Sequence, residues 1–270
     1  MTSSQTEPVI QVLSLVKEYN GKRVLSDISF ELYPRERVAI IGPSGGGKST
    51  LLACMIGAAI PEEGEIQLLG ETLRPRDRKA MDRLRLRFGV MFQGGALFSS
   101  MSIQENVALP IRRHSDLAEE TIKILVAMKL NQVGLFAASD RSPEELSGGM
   151  IKRAALARAM ALDPALLFID EPSAGLDPIA VAEIDDLLLK QAETHDVAMV
   201  VVTHDMTSAY RIANRMIMLY KGRILFDGSP REIQECEDPV VQQFIHGRKD
   251  GPISFQESSL DFGKLLLEGE

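Results

Sequence analysis

Apolar runs alternate with amphipathic segments along much of the chain. Continuous apolar runs at residues 37–41, 166–170 and 197–204 are typical of strands that are buried on both faces of a parallel sheet. Segments with helical periodicity follow two of these runs, at residues 179–194 and 206–214. Because strands and helices alternate, the pattern predicts an α/β fold with a mainly parallel sheet.

Two regions depart from this alternation. Residues 9–16 and 23–33 have the pattern of extended segments, and the turn between them contains Asn20-Gly21, so they predict an antiparallel pair. Between about residues 93 and 160 the periodicity is helical, without strong strands. This region predicts a helical insertion into the α/β core.

The composition narrows the class of protein. Hydrophobic residues make up 45% of the 270 residues, which is enough for a sizeable core. The formal net charge of −8 argues against a nucleic-acid partner, since nucleic-acid binders usually carry a basic excess. Cys54 and Cys236 are too few for a disulfide framework or a zinc site, which favours a reducing compartment.

The N-terminal segment lacks the pattern of a secretion signal. The longest strongly apolar run, residues 51–60, is shorter than the about 20 residues that span a bilayer. We therefore expect a soluble protein that works at a membrane only by docking to another component.

A glycine-rich segment follows the predicted strand at 37–41. Residues 42–49, GPSGGGKS, fit the pattern G-x-x-x-x-G-K-[ST] between a strand and a helix. In that context backbone N–H groups and the positive end of the helix dipole converge on phosphates. Lys48 adds a charge near the β- and γ-phosphates, and the Ser49 hydroxyl can ligate Mg²⁺. The predicted nucleotide-binding residues here are Gly42, Ser44, Gly45, Gly46, Gly47, Lys48, Ser49 and Thr50.

Two acidic residues end the predicted strand at 166–170 and begin the following loop. Asp170 is placed to hold Mg²⁺ through water, and Glu171 can polarise an attacking water molecule. Two acids after an apolar strand are common and are a moderate signal by themselves. Their position after the glycine-rich segment strengthens the prediction.

A second candidate anion site begins at Ser147. Ser147, Gly148 and Gly149 open an amphipathic helix, whose first N–H groups and dipole suit a phosphate. Two such sites far apart in one chain indicate that two chains face each other head to tail, so that each completes the nucleotide site of the other. A simple kinase or GTPase would not explain this second helix start.

These motifs, in this order, resemble those of the ATP-binding-cassette (ABC) ATPases, with LSGGM at residues 146–150 in place of the usual LSGGQ. The resemblance covers about residues 9–235. It implies ATP hydrolysis with Mg²⁺ by a dimer of two copies of this chain. In this family the phosphate contacts come from the serine and the glycines of the motif. With Met150 in place of the glutamine, only the polar contact that the glutamine would make is in doubt.

The resemblance also assigns roles outside the two glycine-rich turns. Tyr19 would stack on adenine, Gln93 would sense Mg²⁺ and the attacking water, and His204 would contact the γ-phosphate. Asp177, in the segment 173–177, would cross the dimer interface. The implied catalytic residues are Glu171, His204 and Gln93, and the implied Mg²⁺ ligands are Ser49, Gln93 and Asp170.

Each of these residues has a structural alternative. Tyr19 can simply cover a hairpin, Gln93 can be an ordinary surface residue, and Asp177 can cap the helix that starts at Pro178. Cys54 is expected to fill the core.

The implied fold class is a P-loop NTPase (RecA-like) with a mainly parallel sheet core, an antiparallel β subdomain and an inserted helical subdomain. We place the core at residues 1–92 and 160–240 and the helical subdomain at 93–159. Residues 241–270 form a C-terminal tail that begins with a short helix and has five acids and one base from residue 250 onward. We expect this tail to contact a partner or the second copy.

Within the family, the chain resembles ATPases of the Mla phospholipid-transport systems of Gram-negative bacteria in residues 92–111, in LSGGM and in DGPISF of the tail. That resemblance implies integral membrane permease subunits (MlaE-like), small STAS-domain proteins (MlaB-like) and, indirectly, periplasmic lipid-binding subunits (MlaD-like), at the cytoplasmic face of the inner membrane. The alternatives are the ATPase of an importer for amino acids or other small solutes, and a soluble ABC protein that acts on nucleic acid or ribosomes.

Two segments are candidate docking surfaces. Residues 94–110 carry Leu97, Phe98 and Met101 in a Gly/Ser-rich setting, where transport ATPases receive a permease helix; the alternative is an internal core loop. Residues 74–87 contain seven bases and two acids. They suit either a solvated face or contact with acidic groups of a partner or of lipids.

Overall fold

The computed structural model describes residues 7–253 and contains two sheets. The strands are β1 (Ile10–Tyr19), β2 (Lys22–Leu32), β3 (Arg37–Ile41), β4 (Glu63–Leu68), β5 (Glu71–Thr72), β6 (Phe88–Met91), β7 (Leu166–Asp170), β8 (Ala198–Val202), β9 (Arg215–Tyr220) and β10 (Arg223–Gly228). The helices are α1 (Lys48–Met55), α2 (Arg78–Arg85), α3 (Ile103–His114), α4 (Glu119–Gln132), α5 (Gly148–Ala159), α6 (Pro178–His195), α7 (Met206–Ile212), α8 (Pro230–Glu235) and α9 (Pro239–Ile245). Short 3-10 turns lie at Phe136–Ala138 and Pro143–Glu145.

The larger sheet has the strand order β10-β9-β3-β8-β7-β6. From β9 to β6 its neighbouring strands are parallel, and β10 joins antiparallel at the edge. The inner strands β3, β7 and β8 are apolar almost throughout because both of their faces are covered. The prediction of an α/β fold with a mainly parallel sheet is therefore confirmed.

The smaller sheet is antiparallel, in the order β2-β1-β4-β5. β1 and β2 form the predicted antiparallel pair, with Ile10 opposite Leu32 and Tyr19 opposite Lys22. β1 also pairs with β4, which the sequence did not predict. One core cluster connects β1 and β2 with α1 and the larger sheet, so the small sheet packs over the glycine-rich segment.

The predicted helical region contains α3, α4 and α5. Ile103 and Val107 of α3, Val126 of α4 and Ala154 of α5 share a buried cluster. Ser102 caps α3 with a capping box, since its hydroxyl accepts from the Glu105 N–H and the Glu105 carboxylate accepts from the Ser102 N–H. Three amphipathic helices thus bury their apolar faces against one another.

The C-terminal end of the described chain packs on the core. Val241 of α9 is fully buried with Ile233 of α8 and Met218 of β9. The predicted boundary between residues 240 and 241 therefore falls inside α9. A helix of seven residues is not stable by itself in water, so it packs on the core. Residues 254–270 of the expected tail lie outside the described residues.

Within residues 7–253, no helix combines the length and the apolar character that a membrane crossing requires.

Candidate functional site

The carboxyl ends of four neighbouring strands meet at one edge of the larger sheet. Val202 of β8 lies between Ile40 of β3 and Asp170 of β7, and Ile169 lies beside Met91 of β6. Strand spacing puts the backbones of Ile40 and Asp170 about 10 Å apart. The glycine-rich segment, His204, the acidic pair and Gln93 follow these strands in that spatial order, at an edge where α/β proteins bind ligands.

The glycine-rich loop runs from the end of β3 into α1 and needs glycine at specific positions. Gly42 has φ 138°, and a Cβ there would lie 2.1 Å from the Leu219 carbonyl oxygen. Gly47 has φ 104°, and a Cβ would lie 2.7 Å from Cδ2 of Leu25. The loop is therefore pressed between β9 and β2. Ser44, Gly45 and Ser49 are exposed at its outer side, whereas Gly46 and Gly47 are buried.

Lys48 is the first residue of α1. Its Nζ donates to the carbonyl oxygens of Gly42 (2.8 Å) and Pro43 (3.1 Å), so the ammonium lies across the mouth of the loop. Burial lowers the pKa of Lys48, and the nearby Glu171 and Asp170 carboxylates act in the opposite direction. These electrostatic contacts place the lysine and the acidic pair in one site.

Asp170 is half-buried at the end of β7. Burial raises its pKa, and the charge of Glu171 raises it further, while Lys152 and Lys48 lower it. A positive charge beside Asp170 would offset both the cost of burying the carboxylate and its repulsion by Glu171, so this position favours a cationic ligand.

Thr50, which follows Ser49 on α1, is half-buried.

Glu171 sits in a strained turn directly after β7. Its φ is 47°, in the left-handed region that non-glycine residues seldom adopt. Its N–H donates to the Val202 carbonyl at 2.8 Å. The side chain is 14% exposed and Oε2 lies 2.8 Å from Nδ1 of His204, but not in hydrogen-bond geometry. Among the described residues nothing donates a hydrogen bond to this buried oxygen.

Gln93 and Tyr19 lie at the margins of the site. Gln93 is exposed two residues after β6. Tyr19 is 47% exposed at the end of β1, and Nζ of Lys17 lies 4.7 Å from its ring centroid. One face of the ring is thus covered by an ammonium group, and the side chain still has a large solvent-accessible surface.

The second glycine-rich turn begins α5. Ser147 is the N-cap, and its hydroxyl accepts from the Met150 N–H at 3.4 Å. Ser147 and Gly148 are exposed, and Gly149 is half-buried. A Cβ on Gly148 would lie 3.3 Å from Leu176, so the turn abuts the loop after Glu171. The Met150 side chain packs against the buried cluster of the helical region, where a glutamine would be less favourable.

Asp177 caps α6. Its carboxylate accepts from the N–H groups of Ile179 (3.0 Å) and Ala180 (3.1 Å). The structural alternative for this residue is therefore present in the single chain. A contact across a dimer interface stays a prediction.

Lys152 on α5 is a further residue of the site, which the sequence did not predict. Its Nζ donates to the carbonyl oxygens of Gln93 and Glu171. A signal was present, because Lys152 shares the spacing i, i+3, i+4 with Ala155 and Leu156, on the buried face of the helix. A lysine on an apolar helix face needs acceptors in the interior.

The donor set suits Mg²⁺ bound together with phosphates. Within the described part of the chain no cluster of three or more acidic, histidine or cysteine side chains could hold a metal ion. Mg²⁺ in nucleotide sites is held by one or two carboxylates, with substrate phosphates and water completing the shell. The Asp170 carboxylate fits that chemistry, and the Ser49 hydroxyl and the Gln93 amide are neutral oxygen donors that suit the same cation.

Comparison with known proteins identifies the family of this chain. A family model described as ABC transporter matches residues 25–174. The intermembrane phospholipid transport system ATP-binding protein MlaF of Haemophilus influenzae is 38% identical over 260 residues, covering 96% of this chain and 98% of that protein. MlaF of Escherichia coli is 40% identical over 250 residues, covering 92% and 93%.

A further relative and two solved structures extend the comparison. The probable ribonucleotide transport ATP-binding protein mkl of Mycobacterium tuberculosis is 38% identical, covering 92% of this chain and 69% of that protein. The structure of cbiO1 from Clostridium perfringens, part of the ABC transporter complex cbiONQ, has TM-score 0.79 and 28% identity, covering 97% of this chain and 99% of that chain. The dimeric ATP-binding cassette MJ0796 bound to ADP and phosphate has TM-score 0.76 and 28% identity, covering 82% and 98%.

Proposed function

The chain belongs to the ABC transporter family and is an ATP-binding ATPase of that family, and we propose that it drives phospholipid transport between the inner and outer membranes. The similarity to two MlaF proteins over nearly their whole length carries this proposal. Closure of two copies around ATP, and reopening after hydrolysis, would supply the mechanical step to a membrane permease.

In this proposal the glycine-rich loop binds the ATP phosphates. The N–H groups of Gly45 and Gly47 and the start of α1 offer positive potential, whereas the Gly46 N–H donates to the Pro43 carbonyl. Lys48 would exchange its carbonyl acceptors for phosphate oxygens, a charge-assisted contact that is stronger than the one it gives up. Tyr19 would stack on the adenine with the face opposite Lys17.

Glu171 is the proposed general base. Its Oε2 accepts no hydrogen bond from the described residues, so a water that reached this oxygen once the exposed His204 side chain turned toward the nucleotide would displace no existing bond. His204 lies beside this oxygen and would contact the γ-phosphate. Ser49, Gln93 and Asp170 would hold Mg²⁺, which when bound neutralises developing phosphate charge.

Self-association completes the site. The Ser147-Gly148-Gly149 turn, which is exposed at its first two residues, presents free N–H groups at a helix start, which suits the phosphates bound by a second copy. The solved cassette MJ0796 is dimeric with bound ADP and phosphate, which supports a dimer for this chain. Asp177, near the same turn, would contact the partner copy.

A groove beside α3 is the proposed permease surface. It has a volume of about 360 Å³, and its lining includes the apolar residues Phe98, Leu109 and Pro110 and the basic residues Arg85 and Arg113. Phe98 comes from the first predicted docking segment and Arg85 from the second, so the fold unites the two. A groove with apolar and basic lining residues suits a short amphipathic helix that carries an acidic residue.

The groove gives a testable prediction. We expect Phe98→Asp to lower permease binding at least about 30-fold, because an exposed aromatic side chain that the permease would cover is replaced by a charge. Basal ATP hydrolysis by the isolated chain should stay near the parental rate. Phe136→Asp, which changes a phenylalanine of similar exposure on the helical region, is the matched control. Equal recovery of permease by both variants in detergent pull-downs would exclude the groove.

Permease subunits would hold the ATPase at the cytoplasmic face of the inner membrane. STAS-domain proteins and, indirectly, periplasmic lipid-binding subunits would complete the assembly. The test is a pull-down of the full chain from detergent-solubilised membranes, with mass spectrometry of bound lipid. Recovery of permease with phospholipid supports the proposal, and recovery with a solute-binding protein and no enriched lipid favours a small-solute importer.

We propose that residues 254–270 contact a partner or the second copy. A cut after residue 253 is the clean test, because Gln243 hydrogen-bonds the backbone of Ile253 and Val241 is fully buried. We expect deletion of 254–270 to weaken assembly on size-exclusion chromatography at an unchanged melting temperature. Deletion of 241–270 should also lower the melting temperature, since loss of buried Val241 alone costs roughly 1.5–3 kcal/mol. Unchanged assembly after the shorter deletion would contradict a contact by the tail.

A further inference from the structure

Lys152 connects the helix that follows Ser147 to two loops of the catalytic edge. It lies on α5, is 5% exposed, and its Nζ donates to the Gln93 carbonyl and, at 2.9 Å, to the Glu171 carbonyl. We propose that Lys152 is a positioning residue for ATP hydrolysis, through which α5 sets the places of Gln93 and Glu171. This inference rests on the proposed roles of those two residues.

The setting of Lys152 favours a role beyond filling space. Its helical neighbours Ala155 and Leu156 are buried and apolar, so a methionine would fit the same face without the cost of a buried charge. That cost is offset by two carbonyl acceptors and by the nearby Asp170 and Glu171 carboxylates. The buried ammonium group is thus stabilised by acceptors and charges that the segments after β6 and β7 supply.

The loop after β6 is tied to the helical region at further points. Arg158 of α5 donates to the carbonyl oxygens of Ala96 (2.6 Å) and Gly95 (2.9 Å). The buried Asn106 of α3 accepts from the Phe98 N–H at 2.8 Å and donates to its carbonyl at 3.1 Å. The Gln93 loop therefore moves with α3 and α5.

Lys152 connects α5 to the turn that contains Glu171. The Glu171 N–H donates to Val202, and the Glu171 carbonyl accepts from Lys152 at 2.9 Å and from the Ala174 N–H at 3.3 Å, so both peptide groups of this left-handed residue are anchored. Without Lys152 only the longer bond from Ala174 would hold the carbonyl, which would let the carboxylate turn relative to a bound phosphate. A shift of about 1 Å at a reacting group can cost about 100-fold in rate. A displacement of α5 on dimer closure would move Gln93 and Glu171 together.

Steady-state kinetics of the full chain test this role. We expect Lys152→Met to lower kcat at least about 10-fold while KM for ATP changes less than about twofold, because phosphate binding by the glycine-rich loop is untouched. Lys152→Arg, which restores donors to both carbonyls, should recover most of kcat. A purely structural role would instead lower the melting temperature without this separation of kcat from KM.

Lys129→Met is the matched control. Lys129 is also buried in the helical region, on α4, and pairs with Asp163, away from the catalytic edge. We expect its loss to affect thermal stability and to leave kcat near the parental value. Equal loss of kcat in both methionine variants would overturn the proposal, since it would trace the effect to general destabilisation.

Two further variants keep the outcomes distinct. If Lys152→Met does not fold, Lys152→Gln, which retains a neutral donor, takes its place; failure of both to fold assigns Lys152 to stability and overturns the proposal. If Glu171→Gln hydrolyses ATP at the parental rate, the proposed catalytic site itself is wrong. If Glu171→Gln is inactive while Lys152→Met keeps the parental kcat, the positioning role alone is wrong.

Discussion

Glu171→Gln is expected to lower ATP turnover by at least about 100-fold while ATP binding is retained. A general base contributes roughly 100- to 10,000-fold to such a reaction, and an amide does not take the proton from water. The substitution leaves the glycine-rich loop and Lys48 unchanged. ATP would then bind and remain unhydrolysed, which should trap a closed dimer.

The measurements are single-turnover hydrolysis and size-exclusion chromatography with Mg²⁺ and ATP. We expect the variant to elute as a dimer under conditions where the parental protein returns to the monomer after hydrolysis, because bound ligand stabilises the state that binds it. Glu193→Gln, an exposed glutamate on α6, is the control and should behave like the parental protein. Parental turnover by Glu171→Gln would show that another group activates the water.

Lys48→Ala is expected to abolish turnover by preventing productive ATP binding. Hydrogen bonds to charged groups are worth about 1.5–3 kcal/mol each, so losing the ammonium from the phosphate site should weaken binding at least about 10-fold. Binding is measured by titration of the full chain with a fluorescent ATP analogue.

The two variants separate binding from chemistry. Lys48→Ala should fail to form the ATP-dependent dimer, whereas Glu171→Gln should form it more stably than the parental chain. Lys123→Ala, an exposed lysine on α4, is the control for the loss of a positive charge. ATP-dependent dimers formed by Lys48→Ala would contradict the role given to the glycine-rich loop.

The strands and helices that the sequence predicted are those with strong local signals. The apolar runs of β3, β7 and β8 and the periodic helices α6 and α7 have the predicted type and nearly the predicted bounds. The sequence did not predict β4, β5, β6, β9, β10, α2 and α8. For β10, for example, alternate residues are exposed at the edge of the sheet, so its apolar pattern is weak.

For the candidate site, the motif residues were predictable because their chemistry depends on adjacent positions. A glycine-rich turn before a helix and an acidic pair after an apolar strand each carry a local signal, and the strands that bear them, β3 and β7, flank β8 and run parallel to it. The link made by Lys152 was not predictable, since its acceptors are the backbone carbonyls of residues 59 and 19 positions away.

Local sequence thus determined which segments are candidates for binding phosphate and which carry carboxylates, because backbone freedom at glycine and charge at a strand end are properties of a few consecutive residues. Tertiary structure decided what those segments touch: the packing of Met150 into the helical cluster, the single groove that combines Phe98 with Arg85, and the burial of α9. The physical reason is that packing and buried hydrogen bonds join residues far apart in the chain, and no local pattern encodes such a pairing.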